Sequence, residues 1–216
     1  SLVWGEASAH PEWRTVLGHA IQHCRCYLKV GVDPSGFGYE GTGYSYSVYH
    51  YLYLLVQVLR QHGEVDLYAE EPRLRQICEA SFHLAFPDAS HLINSNDHGL
   101  LLPLSMGWLL PCADIYQEPA YRALWYAYEG PDHPCRPYGD GMAWFRREVF
   151  PGPAAIDEQM GMVRALLYWD ASAPTPPLTT LSRPREVYAP GTEQICWRSS
   201  WRPEAVYLNL QGAGRS

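Results

Sequence analysis

Apolar residues recur at helical spacing through most of the first 170 positions. From Pro11 to about Val30, the residues Trp13, Val16, Leu17, Ala20, Ile21, Cys24 and Leu28 share one stripe, and Pro11 suits a first helical turn. The segment from Gly31 to Gly43, with five glycines and one proline, breaks the pattern. A second helix is predicted from about Tyr44 to His62, stopped by Gly63, and a third from Pro72 to Phe86. Further helices are predicted from about Gly99 to Leu110, from Pro119 to Tyr128 and from Ile156 to Trp169. Short to medium loops between them suggest antiparallel helical hairpins.

The pattern changes after Asp170. Residues 171–190 are rich in proline, serine and threonine and suggest a linker or an extended crossover. Two β-like runs follow, Gln194 to Arg198 and Ala205 to Leu210, separated by a turn at Arg202-Pro203. Such a hairpin has no predicted sheet to join and would be marginal alone in water, so the run is expected to open a larger β domain. The expected organisation is a helical domain over 1–170, a linker over 171–190 and first strands over 191–216.

With 47% hydrophobic residues in 216, the chain can bury a core, which argues against disorder. Sixteen basic against 23 acidic residues, a net charge of −7, disfavour a broad phosphate-binding surface, so no nucleic-acid partner is expected. No apolar run approaches the roughly 18 residues of a membrane span. The six cysteines form no CxxC and no zinc-finger spacing, and buried free thiols are expected. Aromatic usage changes the picture most: 16 Tyr and 8 Trp against 5 Phe favour rings with a polar tip, suited to stacking on a ligand while hydrogen-bonding to it.

Much of that tyrosine lies on the second helix. At 100° per residue, Tyr46, Tyr49, His50, Tyr53, Gln57 and Arg60 share one face, and Val48, Tyr51, Leu52, Leu55, Val58 and Leu59 lie opposite. On one reading the aliphatic face is core and the tyrosine face lines a cleft. On the other, the tyrosines line a helix interface with their hydroxyls hydrogen-bonded. Glu40, just ahead of this helix, is placed to tie down exposed N–H groups. The glycine loop lacks a preceding strand and a Gly-Lys-Ser/Thr, so it is neither a dinucleotide nor a phosphate loop.

Asp33-x-x-Gly36, Tyr39-Glu40-Gly41-x-Gly43-Tyr44 and the tyrosine-rich helix ending in Leu54-Leu55 resemble the heparinase II/III-like polysaccharide lyases and their alginate-lyase relatives. The tail, from Arg198-Ser199-Ser200-Trp201 through Ala205 to Leu208 and Gly212, is similar to that family's first β-strands. The resemblance implies a mainly α fold: an incomplete (α/α) toroid of antiparallel helical hairpins, followed by the start of an antiparallel β-sheet domain. It also implies that the chain is an internal piece, without the family's upstream Asn/His helix or its downstream histidine-rich strand. An acidic polysaccharide substrate and a periplasmic or secreted location are implied as well. No cofactor is expected, and any metal would belong to a further part of the β domain.

Lyases of this type remove the C5 proton of a uronate, stabilise the charge on its carboxylate and protonate the O4 leaving group. The resemblance assigns a helix tyrosine as base or acid. Tyr46 is the first candidate because it shares the polar face with His50, and Tyr44 is the second. Glu40, Tyr49, His50 and Tyr53 are candidate substrate contacts, as are Asn94, Asp97 and His98 in a polar cluster before the fourth predicted helix, where Asp97 also suits an N-cap. Two alternatives stand beside the lyase. One is a toroid glycoside hydrolase with Glu40 and Asp97 as paired carboxylates, and the other is a non-catalytic carbohydrate-binding helical domain.

Overall fold

The computed structural model describes residues 9–93, 105–129, 167–168, 170 and 172–212. The chain is helix-rich, with a small antiparallel sheet at its C-terminal end. Helix α1 spans Trp13–Val30 and buries Leu17, Cys24 and Leu28, the inner line of the predicted stripe, although Val16 at its margin is exposed. Helix α2 spans Gly41–Gln61, beginning three residues earlier than expected. A short helix α3, Leu67–Glu70, leads into α4, Pro72–Leu84, whose Pro72 occupies the first turn where a missing N–H costs nothing.

Helix α5, Leu109–Ile115, departs from expectation. The sequence pattern placed a helix from Gly99 to Leu110; its part over 99–104 lies outside the described residues, while residues 105–108 are non-helical and a helix starts where that one should end. Pro111 explains the shift: proline is tolerated in a first turn and breaks a later one. Helix α6, Pro119–Glu129, is buried on nearly every side, and its buried Arg122 donates to Asp114 Oδ1 at 2.6 Å. The predicted helix from Ile156 to Trp169 lies almost wholly outside the described residues.

The sheet has three strands in the order β1-β2-β3, all antiparallel: β1 Glu186–Ala189, β2 Gln194–Arg198 and β3 Tyr207–Gln211. The hairpin expected from sequence therefore has a partner, and it comes from the end of the supposed linker. Four residues were too few to show alternation among prolines, which is why β1 was not predicted. Strand β2 alternates buried and exposed residues along its whole length, so Gln194, Cys196 and Arg198 face the helices while Ile195 and Trp197 face outward.

Arg198 joins sheet to helices. Its Nη2 donates to the carbonyls of Phe82 and Ala85, each at 2.7 Å, supplying partners for the end of α4, where backbone carbonyls have none in the helix. The guanidinium stacks over Trp201 at 4.3 Å, and Tyr207 donates its hydroxyl to the His83 carbonyl at 2.6 Å. Arg183, also from the supposed linker, pairs with Glu79 and Glu118 and lies over the Phe82 ring at 4.1 Å. The 171–190 segment is thus fastened to α4 at one point and paired into the sheet at another.

Candidate functional site

The tyrosine face of α2 points inward. Tyr46, Tyr49, His50 and Tyr53 are each at most 2% exposed, and they surround Trp108, itself fully buried. Ring centroids lie 5.2 Å from Trp108 for Tyr46, 6.0 Å for Tyr49, 5.2 Å for His50 and 5.6 Å for Tyr53, the last stacked and the others edge-on. Tyr46 donates its hydroxyl to Ser81 Oγ at 2.9 Å, and Ser81 donates onward to the Ile77 carbonyl. Tyr53 donates to the Leu74 carbonyl at 2.5 Å. Burial pushes the phenols of Tyr46, Tyr49 and Tyr53 well above their ordinary range, only partly offset at Tyr46 by the Ser81 hydroxyl.

This corrects the assignment of that face to a cleft. The face expected to be core is the more exposed one: Tyr51 is 57% exposed, and Val48, Leu55 and Val58 are only half-buried, although Leu52 and Leu59 are inside. The reason is physical. Large aromatic rings fill the space around Trp108, and the Tyr46 and Tyr53 hydroxyls can be buried there because Ser81 and the Leu74 carbonyl accept from them. Tyr46 is therefore a buried acid of raised pKa, the wrong environment for a base at neutral pH.

Tyr44 is placed differently. It lies in the first turn of α2 and is 51% exposed, close in sequence to Tyr39, 43% exposed, and to Glu40, which is also exposed. Glu40 occupies the position before the helix but its side chain makes no capping hydrogen bond, against expectation. Its charge reaches Tyr27 instead: burial first and the Glu40 carboxylate second push the Tyr27 phenol up to about 12, while the Ser45 hydroxyl acts in the opposite direction. Glu40 and Tyr44, four positions apart at the start of α2, are thus both exposed, whereas Tyr46, Tyr49, His50 and Tyr53 are buried. Asn94, Asp97 and His98 lie outside the described residues.

The loop leading into α2 is held on three sides. Val32 bridges Gly38, and Tyr39 N–H donates to the Gly31 carbonyl at 3.1 Å. Gly36, at φ 91°, lies so close to the Gln76 and Ile77 backbone of α4 that a side chain would collide with it. Asp33, fully buried, accepts from Ser35 N–H and Gly191 N–H, both at 2.6 Å. Sequence reading singled out Asp33 and Tyr39 as part of a motif without giving either a role. The partner of Asp33 is 158 positions away, and the one signal of it was the Pro190-Gly191 pair, a turn dipeptide.

Among the described residues, no group of His, Cys, Asp or Glu could hold a metal ion, and no helix is long and apolar enough to cross a membrane. No family model, curated protein or solved structure matches the chain.

Proposed function

We propose that the chain is part of a polysaccharide lyase that cleaves a uronate-containing glycan by β-elimination, its helices forming part of an incomplete (α/α) toroid. The observation that carries this reading is the start of α2, where Tyr39 and Tyr44 are each about half exposed on either side of the exposed Glu40 in sequence. Tyr44 takes the role of the reacting tyrosine, moving a proton to O4 or from C5. A phenol can protonate a leaving alkoxide without any lowering of its pKa. It also sits in the first turn of α2, where the positive end of the helix dipole favours developing negative charge. Tyr39 offers a partly exposed ring for stacking on sugar. The substrate is an acidic polysaccharide, with heparin, heparan sulfate and alginate as the test set.

Incubation with each polymer, followed by the ultraviolet absorbance of an unsaturated uronate, tests the proposal. A rise that disappears in Tyr44→Phe supports it. New reducing ends without that absorbance would point to hydrolysis, and binding without either product to a carbohydrate-binding domain. Both results reject the lyase.

A further inference from the structure

We propose that Asp33 is a positioning residue that makes the orientation of the Tyr39–Tyr44 segment depend on the first turn of the sheet; the role of that segment in sugar binding rests on the reading above. The contact is specific. Asp33 Oδ2 accepts from Gly191 N–H at 2.6 Å, in the turn between β1 and β2, while Oδ1 accepts from Ser35 N–H at 2.6 Å inside the loop. Ser35 Oγ adds a second tie, donating to the Tyr188 carbonyl at 3.2 Å. Hydrogen bonds to an ionised acceptor are shorter and stronger than neutral ones, and here both oxygens of a fully buried carboxylate are used.

Gly191 is required for the approach. A Cβ at that position would strike both the Tyr39 hydroxyl and the Asp33 carboxylate, so the turn backbone is packed directly against the ring that faces the solvent edge. From Asp33 the connection to Tyr39 is short. Asp33 N–H donates to the Phe37 carbonyl at 2.7 Å, Gly36 N–H returns to the Asp33 carbonyl at 2.8 Å, and Tyr39 N–H closes the loop onto Gly31 at 3.1 Å. Gly41 N–H then bonds the Gly38 carbonyl at 3.2 Å, where α2 begins. The Arg198 clamp on α4 is a separate attachment of the same sheet, so the Asp33 contact is not what keeps the sheet in place. It has a local task, which is to fix the loop.

Amide hydrogen exchange, read residue by residue on the 216-residue chain and on its Asp33→Asn and Gly191→Ala variants, tests this. Asp33→Asn adds no volume and replaces one acceptor oxygen by a donor, so it carries the test even where Gly191→Ala fails to fold. The expected result is exchange about tenfold faster at Ser35, Tyr39 and Gly41, with α4 and the β2–β3 pairing protected as before. Faster exchange confined to Ser35 and Gly191 overturns the proposal, because the contact would then stop short of the tyrosines. Loss of protection throughout α4 and the sheet overturns it too, since Asp33 would then be holding the fold.

A second measurement is the dissociation constant for a heparin-derived oligosaccharide, expected to weaken about tenfold in Asp33→Asn under conditions where the variant is fully folded. Unchanged affinity in that variant overturns the positioning role. A parent chain that binds no oligouronate, whether derived from heparin or from alginate, counts against the proposed function alone and leaves the exchange data to decide the coupling.

Discussion

Tyr44 and Tyr46 stand two residues apart on one helix and meet opposite surroundings. Tyr46 is enclosed by Trp108, Tyr49 and the α4 hydroxyl of Ser81, and burial holds its proton tightly. Tyr44, about 200° further round the helix, is half in solvent. The same amino acid therefore serves as core material on one face and as a surface ring on the other. Tyrosine content alone cannot tell which, because a phenol satisfies either side: apolar area for the interior, a hydroxyl for solvent or a ligand. On the inner face α4 supplies acceptors to Tyr46 and Tyr53, through Ser81 and the Leu74 carbonyl.

The most severe way to break this contrast is to remove the ring at its centre. Trp108→Ala should cost about 4 kcal/mol of stability, as for other large aromatics deleted from a core, and its urea unfolding midpoint should fall accordingly. A loss below about 1 kcal/mol would mean that the tyrosine face of α2 is not core at all.

Acid is the next largest lever, and it acts where the sheet meets α4. His83 is 8% exposed, and burial first, then the Arg198 and Arg183 guanidinium groups, lower its pKa to about 4 from 6.5. The group is therefore neutral in the fold between those values while the unfolded chain takes up a proton. Stability contributed by keeping it neutral is fully present above about pH 6.5 and is lost as pH falls toward about 4, with no further loss from this group below that. The full window amounts to an upper figure of order 3 kcal/mol. Its neighbours are Arg198 from β2, Arg183 from the preceding segment, and the Trp201 ring, edge-on at 5.9 Å. Unfolding midpoints measured between pH 4 and 7 should show this slope, and His83→Gln should flatten it. An equal slope in that variant would place the acid sensitivity in another group.

These two tests also show what could be read in advance. The stripe on α1, the extent of α4 and the alternation on β2 follow from spacing, because each has one solvent face and one interior face of different chemistry. Helix α2 defeats that logic because both its faces carry aromatic or aliphatic residues, so periodicity locates the helix without saying which way it turns. Strand β1 and the Asp33–Gly191 contact were hidden for another reason. Each depends on a partner distant in the chain, and a four-residue strand or a lone aspartate has no local pattern that names its partner. The tyrosine-loop motif was visible, but the division between its buried and exposed members was not.

A milder change sharpens the same contrast. Tyr46→Phe keeps the ring against Trp108 and removes one buried hydroxyl, while Ser81 retains its bond to the Ile77 carbonyl. The expected cost is about 1 kcal/mol in denaturant unfolding, with oligouronate binding and any elimination activity unchanged. Abolished activity in a fully folded Tyr46→Phe would return the catalytic role to the interior and discard the assignment of Tyr44.

The smallest effect on stability is expected from Tyr44→Phe, within about 0.5 kcal/mol of the parent, since the ring stays and the altered hydroxyl belongs to a half-exposed residue. Its effect on chemistry should be the largest of all. Without the hydroxyl no proton can move at that position, so the release of unsaturated uronate should vanish while the affinity for oligosaccharide, to which the ring and Tyr39 contribute, changes by less than about tenfold. Binding and turnover therefore separate in this variant if Tyr44 moves the proton. They fall together if it only contacts the sugar, and neither moves if the exposed edge of α2 faces something other than substrate.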